Sequence, residues 1–295
     1  LVATVAGLTL VPWLLTLMHT PADVLPYSLQ YFRVYFGGVT TIILYNICMS
    51  IMQAQGDSVR PLYYLFISSV ANVVLDLLFV AVFHWGVTGA AIATVIAQGL
   101  SVVLCLVRMC REPEEHLRLD FRKLYWDKEM MRRIIRQGLP TGVQNAVISL
   151  GNVVIQSNIN SFGASAMSGQ GAYSKIEGFA FLSVTSMSMT LPTFVSQNLG
   201  AGNVPRAKKG ALFGTLTTMV AAEVTGVLMY IFIPQLLGLF ISDPDAIAYG
   251  IIHARVDTLF YCLLALAHCA AGILRGCGKS TVPMVVMLSC WCVLR

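Results

Sequence analysis

One acidic residue lies within a long apolar segment of this sequence. Asp76 follows Asn72 by four residues and Ser68 by eight, so all three share a face if the segment is helical. A carboxylate and an amide at this spacing can bind one cation through oxygen atoms, or the amide can tune the proton affinity of the carboxylate. The alternative is a polar pair that hydrogen-bonds neighbouring helices.

The position of Asp76 favours a functional role. It lies 15 residues from Pro61, near the start of the apolar segment, and 15 residues of helix rise about 22 Å. Its carboxyl group would then lie beyond the middle of a hydrocarbon core roughly 30 Å thick, towards the outer side. Because a charge in lipid is costly, a functional site is the default hypothesis for such a residue.

Other polar residues in apolar segments have two interpretations. Glu223 has no obvious sequence partner, and Lys175 and Glu177 lie two residues apart near the outer end of their segment. Each can serve the function or make only a local ion pair. Together with Glu177, nearby aromatic and methionine residues form a candidate substrate cavity, with ordinary packing as the alternative for each: Tyr173, Phe179, Phe181 and Met187.

Composition places these residues in a membrane. The chain is 57% hydrophobic and 11% charged, with a mean hydropathy of +0.74, whereas soluble domains carry about 25% charged residues. The net charge of +5 comes from local clusters and predicts no nucleic-acid partner. None of the eight cysteines forms a CxxC pair or a metal-ligand spacing. We expect no cofactor and no catalytic site.

Long apolar segments separated by short polar breaks predict an all-α polytopic membrane protein, since lipid leaves no partner for an open backbone group. Within the sixth segment, Pro192 removes a helix hydrogen bond and is expected to kink the helix. The predicted helices are 1–18, 24–53, 60–83, 86–109, 132–161, 169–198, 206–240, 245–275 and one from 281.

Lysine and arginine predict the orientation of the helices. Alternate breaks are basic, whereas the others carry almost no base near their tips and two contain acids, namely Asp23 in one and Asp243 with Asp245 in the other. Basic breaks mark the cytoplasmic side, so we expect a multi-pass protein of the plasma membrane. The basic positions are Arg60, the stretch 108–136, Arg206, Lys208, Lys209, Arg275 and Lys279.

The sequence repeats itself with an offset of 222 residues. Positions 12–61 match 234–283 without a gap and with 13 identities, among them five pairs that apolar composition alone would not place in register. These pairs are Pro12 with Pro234, Asp23 with Asp245, Tyr27 with Tyr249, Arg33 with Arg255 and Gly56 with Gly278.

The repeat predicts two parallel bundles related by an axis along the membrane normal, with a substrate cavity between them. A complete molecule would have two six-helix halves, so we expect this chain to lack part of each half. The predicted organisation is an N-terminal half-bundle at 1–110, a cytoplasmic amphipathic linker at 111–131 and a C-terminal half-bundle at 132–295.

Four sets of residues resemble signature motifs of the multidrug and toxic compound extrusion (MATE) family. They occur in the order of the family and cover nearly the whole chain. They are Ala54-Gln55-Gly56-Asp57-Ser58 with Pro61; Asn72-Val73-Val74-Leu75-Asp76 with Gly86-Val87-Thr88-Gly89-Ala90-Ala91-Ile92-Ala93-Thr94; Gln197-Asn198-Leu199-Gly200-Ala201-Gly202 with Arg206-Ala207-Lys208-Lys209; and Leu274-Arg275-Gly276-Cys277-Gly278-Lys279.

The resemblance implies helices 3 to 11 of a twelve-helix exporter that exchanges drugs for protons or sodium ions. One branch of the family binds the cation through residues that correspond to Asn72, Asp76 and Thr94, and no metal other than Na⁺ at Asp76 is expected. The other known cation site of the family uses carboxylates on helices seven and ten. The matching stretches, about 141–150 and 258–268, contain no acid, so we expect no second cation there.

The predicted function is cation-coupled antiport of lipophilic, often cationic small molecules by alternating access. We expect a monomer whose partners are substrates and membrane lipids. A lipid-linked precursor flippase of the same superfamily is the nearest alternative, but it should line its cavity with several bases, and few lie in the apolar segments. A membrane-embedded transferase should carry an acidic pair on one face, and no DDxxD-like cluster occurs.

Overall fold

The structure is a computed structural model that describes residues 2–17, 25–114, 118–123 and 125–290. Its regular structure is helical, and no β-strand occurs within these ranges. Asp23 and the residues after 290, where the last predicted helix continues, lie outside the described part.

Helices α1 to α12 follow one another in chain order. A π-helical turn, Leu77–Val82, continues α4, and a 3₁₀ turn, Phe121–Lys123, precedes α6. The bounds are α1 Val2–Leu17, α2 Leu25–Gly37, α3 Val39–Ala54, α4 Val59–Asp76, α5 Gly86–Cys110, α6 Lys128–Ser161, α7 Ala164–Ala180, α8 Leu182–Gly200, α9 Val204–Gly238, α10 Pro244–Thr258, α11 Tyr261–Gly276 and α12 Thr281–Ser289.

Three predicted helices are each broken in two. The predicted helix 24–53 is α2 and α3, bent by 46°; 169–198 is α7 and α8, also bent by 46°; and 245–275 is α10 and α11, bent by 56°. Apolar residues continue on both sides of each break, so hydropathy does not show it. The breaks at Phe181 and at Leu259–Phe260 also contain no proline or glycine.

The kink predicted at Pro192 does not interrupt the helix. The helix α8 runs continuously through Pro192, and the break of this span, with a bend of 46°, lies eleven residues earlier, at Phe181. The turn of α8 that contains Pro192 packs closely against α11. A Cβ atom on Gly272 of α11 would lie 2.9 Å from the Ser188 carbonyl oxygen. A small residue there lets the two backbones approach each other.

The helix bounds confirm the internal repeat. Adding 222 to the bounds of α3, residues 39 and 54, gives 261 and 276, which are the bounds of α11. The same offset carries the first residue of α4, Val59, onto that of α12, Thr281. Gly56 and Gly278 precede these helices with φ of +90° and +77°, a left-handed conformation that glycine adopts without strain.

Several helices are long and apolar enough to cross a membrane. They are Val59–Val82, Gly86–Cys110 and Val204–Gly238, together with each of the three bent pairs when the pair is taken as one span. The helix α1 has only 16 residues. The helix α6 is long but is not one of the apolar set, because polar and charged residues occur along its length.

The chain forms two compact units, Leu1–Tyr125 and Trp126–Arg295, here called the N-unit and the C-unit. The boundary between them falls inside the predicted linker. In the N-unit, α3 and α4 pack on α5, and the buried contact between α3 and α5 consists of Tyr45, Cys48, Met52, Val102, Cys105 and Met109.

In the C-unit, α8, α9 and α11 pack on one another, α7 packs on α10 and α9, and α6 packs on α12 and α7. The largest buried cluster joins α7, α9 and α10 around Tyr173, Ile233 and Leu237, which are all fully buried. This core holds α7 and α10 side by side, and the polar network of the C-unit lies along that contact.

Candidate ion and substrate sites

In the N-unit, α4 and α5 form a helical hairpin whose register is set by two contacts. The Ser101 hydroxyl donates a hydrogen bond to the Ser68 hydroxyl over 2.6 Å, and both side chains are buried. At the closed end of the hairpin, a Cβ atom on Gly89 would lie 2.9 Å from Cβ of Phe79. The residue numbers of the two pairs sum to 169 and 168, as expected of antiparallel neighbours in constant register.

This register places the predicted cation-binding residues near one another along the hairpin. It places Asn72 at the level of Ala97, and Asp76 at the level of Ala93 and Thr94. Ala93 and Ala97 are 0% and 4% exposed, so α4 covers this side of α5 closely. The three residues carried over from the MATE resemblance therefore lie within about one turn of one another along the hairpin.

Polar atoms at this level are buried without partners. Among the described residues, Asn72 Nδ2, Asp76 Oδ1 and Gln98 Oε1 have no hydrogen-bond partner. The Thr94 hydroxyl donates to the Ala90 carbonyl over 3.0 Å, which leaves its oxygen able to accept or to coordinate. An unpaired polar atom in a buried position costs about 1–3 kcal/mol, so these atoms are candidates for ligand binding.

The backbone also changes at Asp76. The helix α4 ends there and continues as the π-helical turn Leu77–Val82, in which the Phe83 amide donates to the Leu78 carbonyl five residues back. Single π-helical turns within helices are frequent at functional sites. The hydropathy of the segment gave no sign of this turn.

The chemistry available at the N-unit site suits one small cation. The carboxylate of Asp76 supplies charge, and hydroxyl and amide oxygens are the hard ligands that alkali and alkaline-earth cations take in proteins. Rotation of the Asn72 or Gln98 amide exchanges its oxygen and nitrogen. Each amide can therefore present an oxygen to a metal cation or hydrogen-bond to a protonated carboxyl group.

The C-unit holds a second polar group of residues, between α7 and α10, in which the side chains bind one another. The Tyr173 hydroxyl donates to Asp257 over 3.4 Å and lies 3.2 Å from the Tyr261 hydroxyl. His253 Nε2 lies 3.0 Å from the same Asp257 oxygen, and His253 Nδ1 hydrogen-bonds to Gln170. The whole set can hold a proton shared between a carboxylate and an imidazole.

Asp257 lies at the break between α10 and α11, since α10 ends one residue later at Thr258. The stretch that we matched to the family's second cation site and found to contain no acid, about 258–268, begins one residue too late to include it. The signal that could have found it is the pair His253 and Asp257, which are four residues apart on one helical face.

The residues predicted to line a substrate cavity are found in different environments. Tyr173 is fully buried in the core, whereas Phe179 is 74% exposed. Phe181 is half-buried and contacts the rings of Tyr261 and His268 edge-on. Glu177 and Met187 are half-buried. Tyr173 and Phe181 thus meet around Tyr261, and Phe179 is not part of that group.

Glu223, on α9, faces the break between α10 and α11. It lines a cavity of about 150 Å³ with Gly226, Tyr230, Thr258 and Leu259. One of its carboxylate oxygens is buried and has no hydrogen-bond partner within the described part of the chain.

A family model described as MatE matches residues 1–78 and 140–295 of this sequence. The chain belongs to the multidrug and toxic compound extrusion (MATE) family. The match spans both units, and its two segments include Asn72, Asp76 and Asp257 but not Thr94.

Relatives in the MATE family cover nearly the whole chain. The probable multidrug resistance protein YpnP of Bacillus subtilis (strain 168) is 31% identical over 293 residues, which are 98% of this chain and 64% of that protein. The probable multidrug resistance protein NorM of Thermotoga maritima is 24% identical over 89% of this chain and 57% of its own length. The chain thus spans less than two thirds of these relatives.

Solved structures confirm the predicted all-α polytopic fold. A crystal structure of MATE in the bent conformation has a TM-score of 0.89 and 19% sequence identity, with coverage of 97% of this chain and 63% of that one. A structure of MATE in the straight conformation gives the same TM-score. The prediction that the chain is not an enzyme is also confirmed, because its relatives are transporters.

Proposed function

We propose that the protein of which this chain is part is a cation-coupled antiporter. It exports drugs or other lipophilic, often cationic small molecules by alternating access, and the coupling ion is a proton or a sodium ion. The relatives named as multidrug resistance proteins support drug export. The coupling ion binds in the N-unit, at Asp76, Asn72 and Thr94.

One observation carries this proposal. Three buried polar atoms, on Asn72, Asp76 and Gln98, lie within about one and a half turns of the hairpin and lack partners among the described residues. A structural polar pair would be expected to satisfy itself, as Ser68 and Ser101 do about one turn from Asn72 and two turns from Asp76. A bound cation or proton would satisfy these atoms. After its release they would again lack partners, which raises the free energy of the ion-free state.

We also propose a location and an orientation for the protein in the membrane. The protein is a monomer of the plasma membrane, and the linker 111–131 lies on the cytoplasmic side with its basic residues. Exposed aromatic side chains at the linker, Phe121, Tyr125 and Trp126, suit the interface between lipid and water. Among the substrate-cavity residues, Phe179, Phe181, Met187 and Glu177 are those with surface left to contact a substrate.

The substitution Asp76→Asn in the full-length protein tests the coupling site. It removes the charge but keeps the shape, so efflux of a fluorescent cationic dye from cells should fall at least about tenfold, the factor that corresponds to 1.4 kcal/mol of lost coupling. Efflux is followed by dye fluorescence at equal expression of each variant.

Asp57→Asn is the matched control. Asp57 is a carboxylate of the same unit, but it lies in the break before α4 and pairs with Arg60, so dye efflux should stay near the wild-type rate. Normal efflux by the Asp76 variant would contradict the coupling role. Reconstituted protein under separate pH and sodium gradients then identifies the ion.

A further inference from the structure

The helix α6 does not have the composition expected of a helix surrounded by lipid. It is absent from the set of apolar spans, yet it must cross the membrane. The segment before it and the break after α8 both carry basic residues, which places them on one side. Between these two points the chain passes through α6 and then returns through the bent pair α7 and α8.

The surface of α6 divides into three faces. Five polar residues fall within about 80° of arc at 3.6 residues per turn, here called the polar stripe: Thr141, Asn145, Ser149, Asn152 and Gln156. About 150° away lies an apolar face of exposed side chains: Leu139, Val143, Leu150 and Val154. The remaining face packs inward and carries Gln144, which is 2% exposed and accepts a hydrogen bond from Arg275.

The polar stripe lies at membrane depth. From Thr141 to Gln156 it rises about 22 Å, most of a hydrocarbon core roughly 30 Å thick. The basic residues of α6 precede it, and the last of them is Arg136, five residues before Thr141. All of its members except the half-buried Thr141 are exposed on the C-unit.

Lipid cannot cover such a stripe at low cost. Moving one amide from water into an apolar medium without a hydrogen bond costs about 2–7 kcal/mol, and Asn145 and Asn152 are two exposed amides of the stripe. The apolar face on the other side of α6 has the composition that lipid requires. The compositions of the two faces therefore suit different surroundings.

We propose that the polar stripe lines an aqueous pathway and binds the uncharged, hydrogen-bonding part of a transported molecule. The stripe offers amide and hydroxyl groups, which both donate and accept, and no charged residue occurs from 137 to 161. It therefore recognises neutral amide, hydroxyl and carbonyl groups rather than a cationic centre. This inference rests on the proposed transport function and names a substrate class for it.

Hydrogen-bonding sites also discriminate well between ligands of similar size and shape. A site built to bond a hydroxyl or amide rejects an analogue that lacks the group, because its own polar atoms are then left unpaired. The stripe should thus select among lipophilic compounds of similar size by their neutral polar groups.

Cysteine labelling tests which face meets water. Asn145→Cys and Asn152→Cys in the full-length protein are compared with Val143→Cys and Leu150→Cys on the apolar face, in native membranes. A charged, membrane-impermeant thiol reagent reacts with the thiolate form, which needs water. Peptide mass spectrometry locates each product, so the native cysteines can remain. All four positions are surface positions of the C-unit, so we expect the variants to fold.

The stripe cysteines should react at least about tenfold faster than the control pair, a difference equal to 1.4 kcal/mol. Equal rates, or faster reaction on the apolar face, would overturn the aqueous pathway. The labelling does not depend on transport. It can therefore support the aqueous pathway even if the Asp76→Asn efflux test contradicts the coupling role, and it can overturn the pathway even if that test supports the coupling role.

Substrate protection tests the chemical class. Chloramphenicol carries neutral amide and hydroxyl groups, whereas tetraphenylphosphonium is a cation without hydrogen-bonding groups. Chloramphenicol should slow the labelling of the Asn152→Cys variant, and tetraphenylphosphonium should not. Protection by tetraphenylphosphonium alone, or by neither compound, would overturn the assignment of the substrate class.

Discussion

The polar clusters around Asp76 in the N-unit and Asp257 in the C-unit are satisfied to different extents. In the N-unit, Asn72 and Asp76 each keep a buried atom that has no partner among the described residues. In the C-unit, Asp257 binds both Tyr173 and His253. The C-unit network is satisfied by its own side chains, whereas each unpaired buried atom of the N-unit cluster costs about 1–3 kcal/mol, which is why we propose that a ligand occupies it.

The internal repeat extends this comparison, because equivalent helix positions of the two units carry different side chains. By the offset of 222, His253 and Asp257 correspond to Tyr31 and Tyr35. The two tyrosine rings of the N-unit stack on each other with centroids 6.0 Å apart. The same two positions thus form an aromatic pair in one unit and an acid–imidazole pair in the other.

The largest expected effect on stability is at Asp257. Asp257→Ala removes the shared acceptor of Tyr173 and His253, but Tyr173 keeps its contact with Tyr261 and the His253–Asp257 pair is 38% exposed, so water replaces part of what is lost. We expect a loss of about 2 kcal/mol, measured by chemical unfolding of the full-length protein in detergent. Glu129→Ala is the control, since its exposed ion pair with Arg133 contributes about 0–1 kcal/mol. Equal losses would mean that the network adds nothing.

Sequence alone predicted the helices and the N-unit site but not the C-unit network. The offset of 222 predicts matching ends for α3 and α11, because turn residues such as Gly56 and Gly278 repeat with it. Asn72 and Asp76 are four residues apart on one helix, so their spacing shows their proximity. Tyr173 and Asp257 are 84 residues apart, and nothing in either local sequence shows that α7 and α10 pack together.

A smaller effect is expected at Tyr173. Tyr173→Phe keeps the ring in the core but removes the hydroxyl that joins Asp257 and Tyr261. The loss should be about 0.5–1.5 kcal/mol in the same unfolding experiment. Tyr63→Phe makes the same change on a side chain that is 62% exposed, and its unfolding free energy should stay within experimental error of the wild type.

The smallest stability effect, with the opposite sign, is expected in the N-unit. Asn72→Leu replaces a buried amide whose Nδ2 lacks a partner within the described ranges by an apolar side chain of similar size. In the absence of sodium, the free energy of unfolding should be unchanged or rise by up to about 1 kcal/mol. A fall of about 2 kcal/mol or more in the free energy of unfolding is the size expected when a hydrogen-bonded group loses its partner. It would show that Asn72 is already satisfied in the ion-free protein.

The central claim is that the coupling cation occupies the N-unit site, and direct ion binding tests it most closely. Purified full-length protein is titrated for ²²Na⁺ binding and for proton uptake, alongside the Asp76→Asn and Asp257→Asn variants. We expect Asp76→Asn to abolish the ion binding that the wild type shows and Asp257→Asn to retain it. Full binding by the Asp76 variant, with loss only in the Asp257 variant, would place the coupling ion in the C-unit instead.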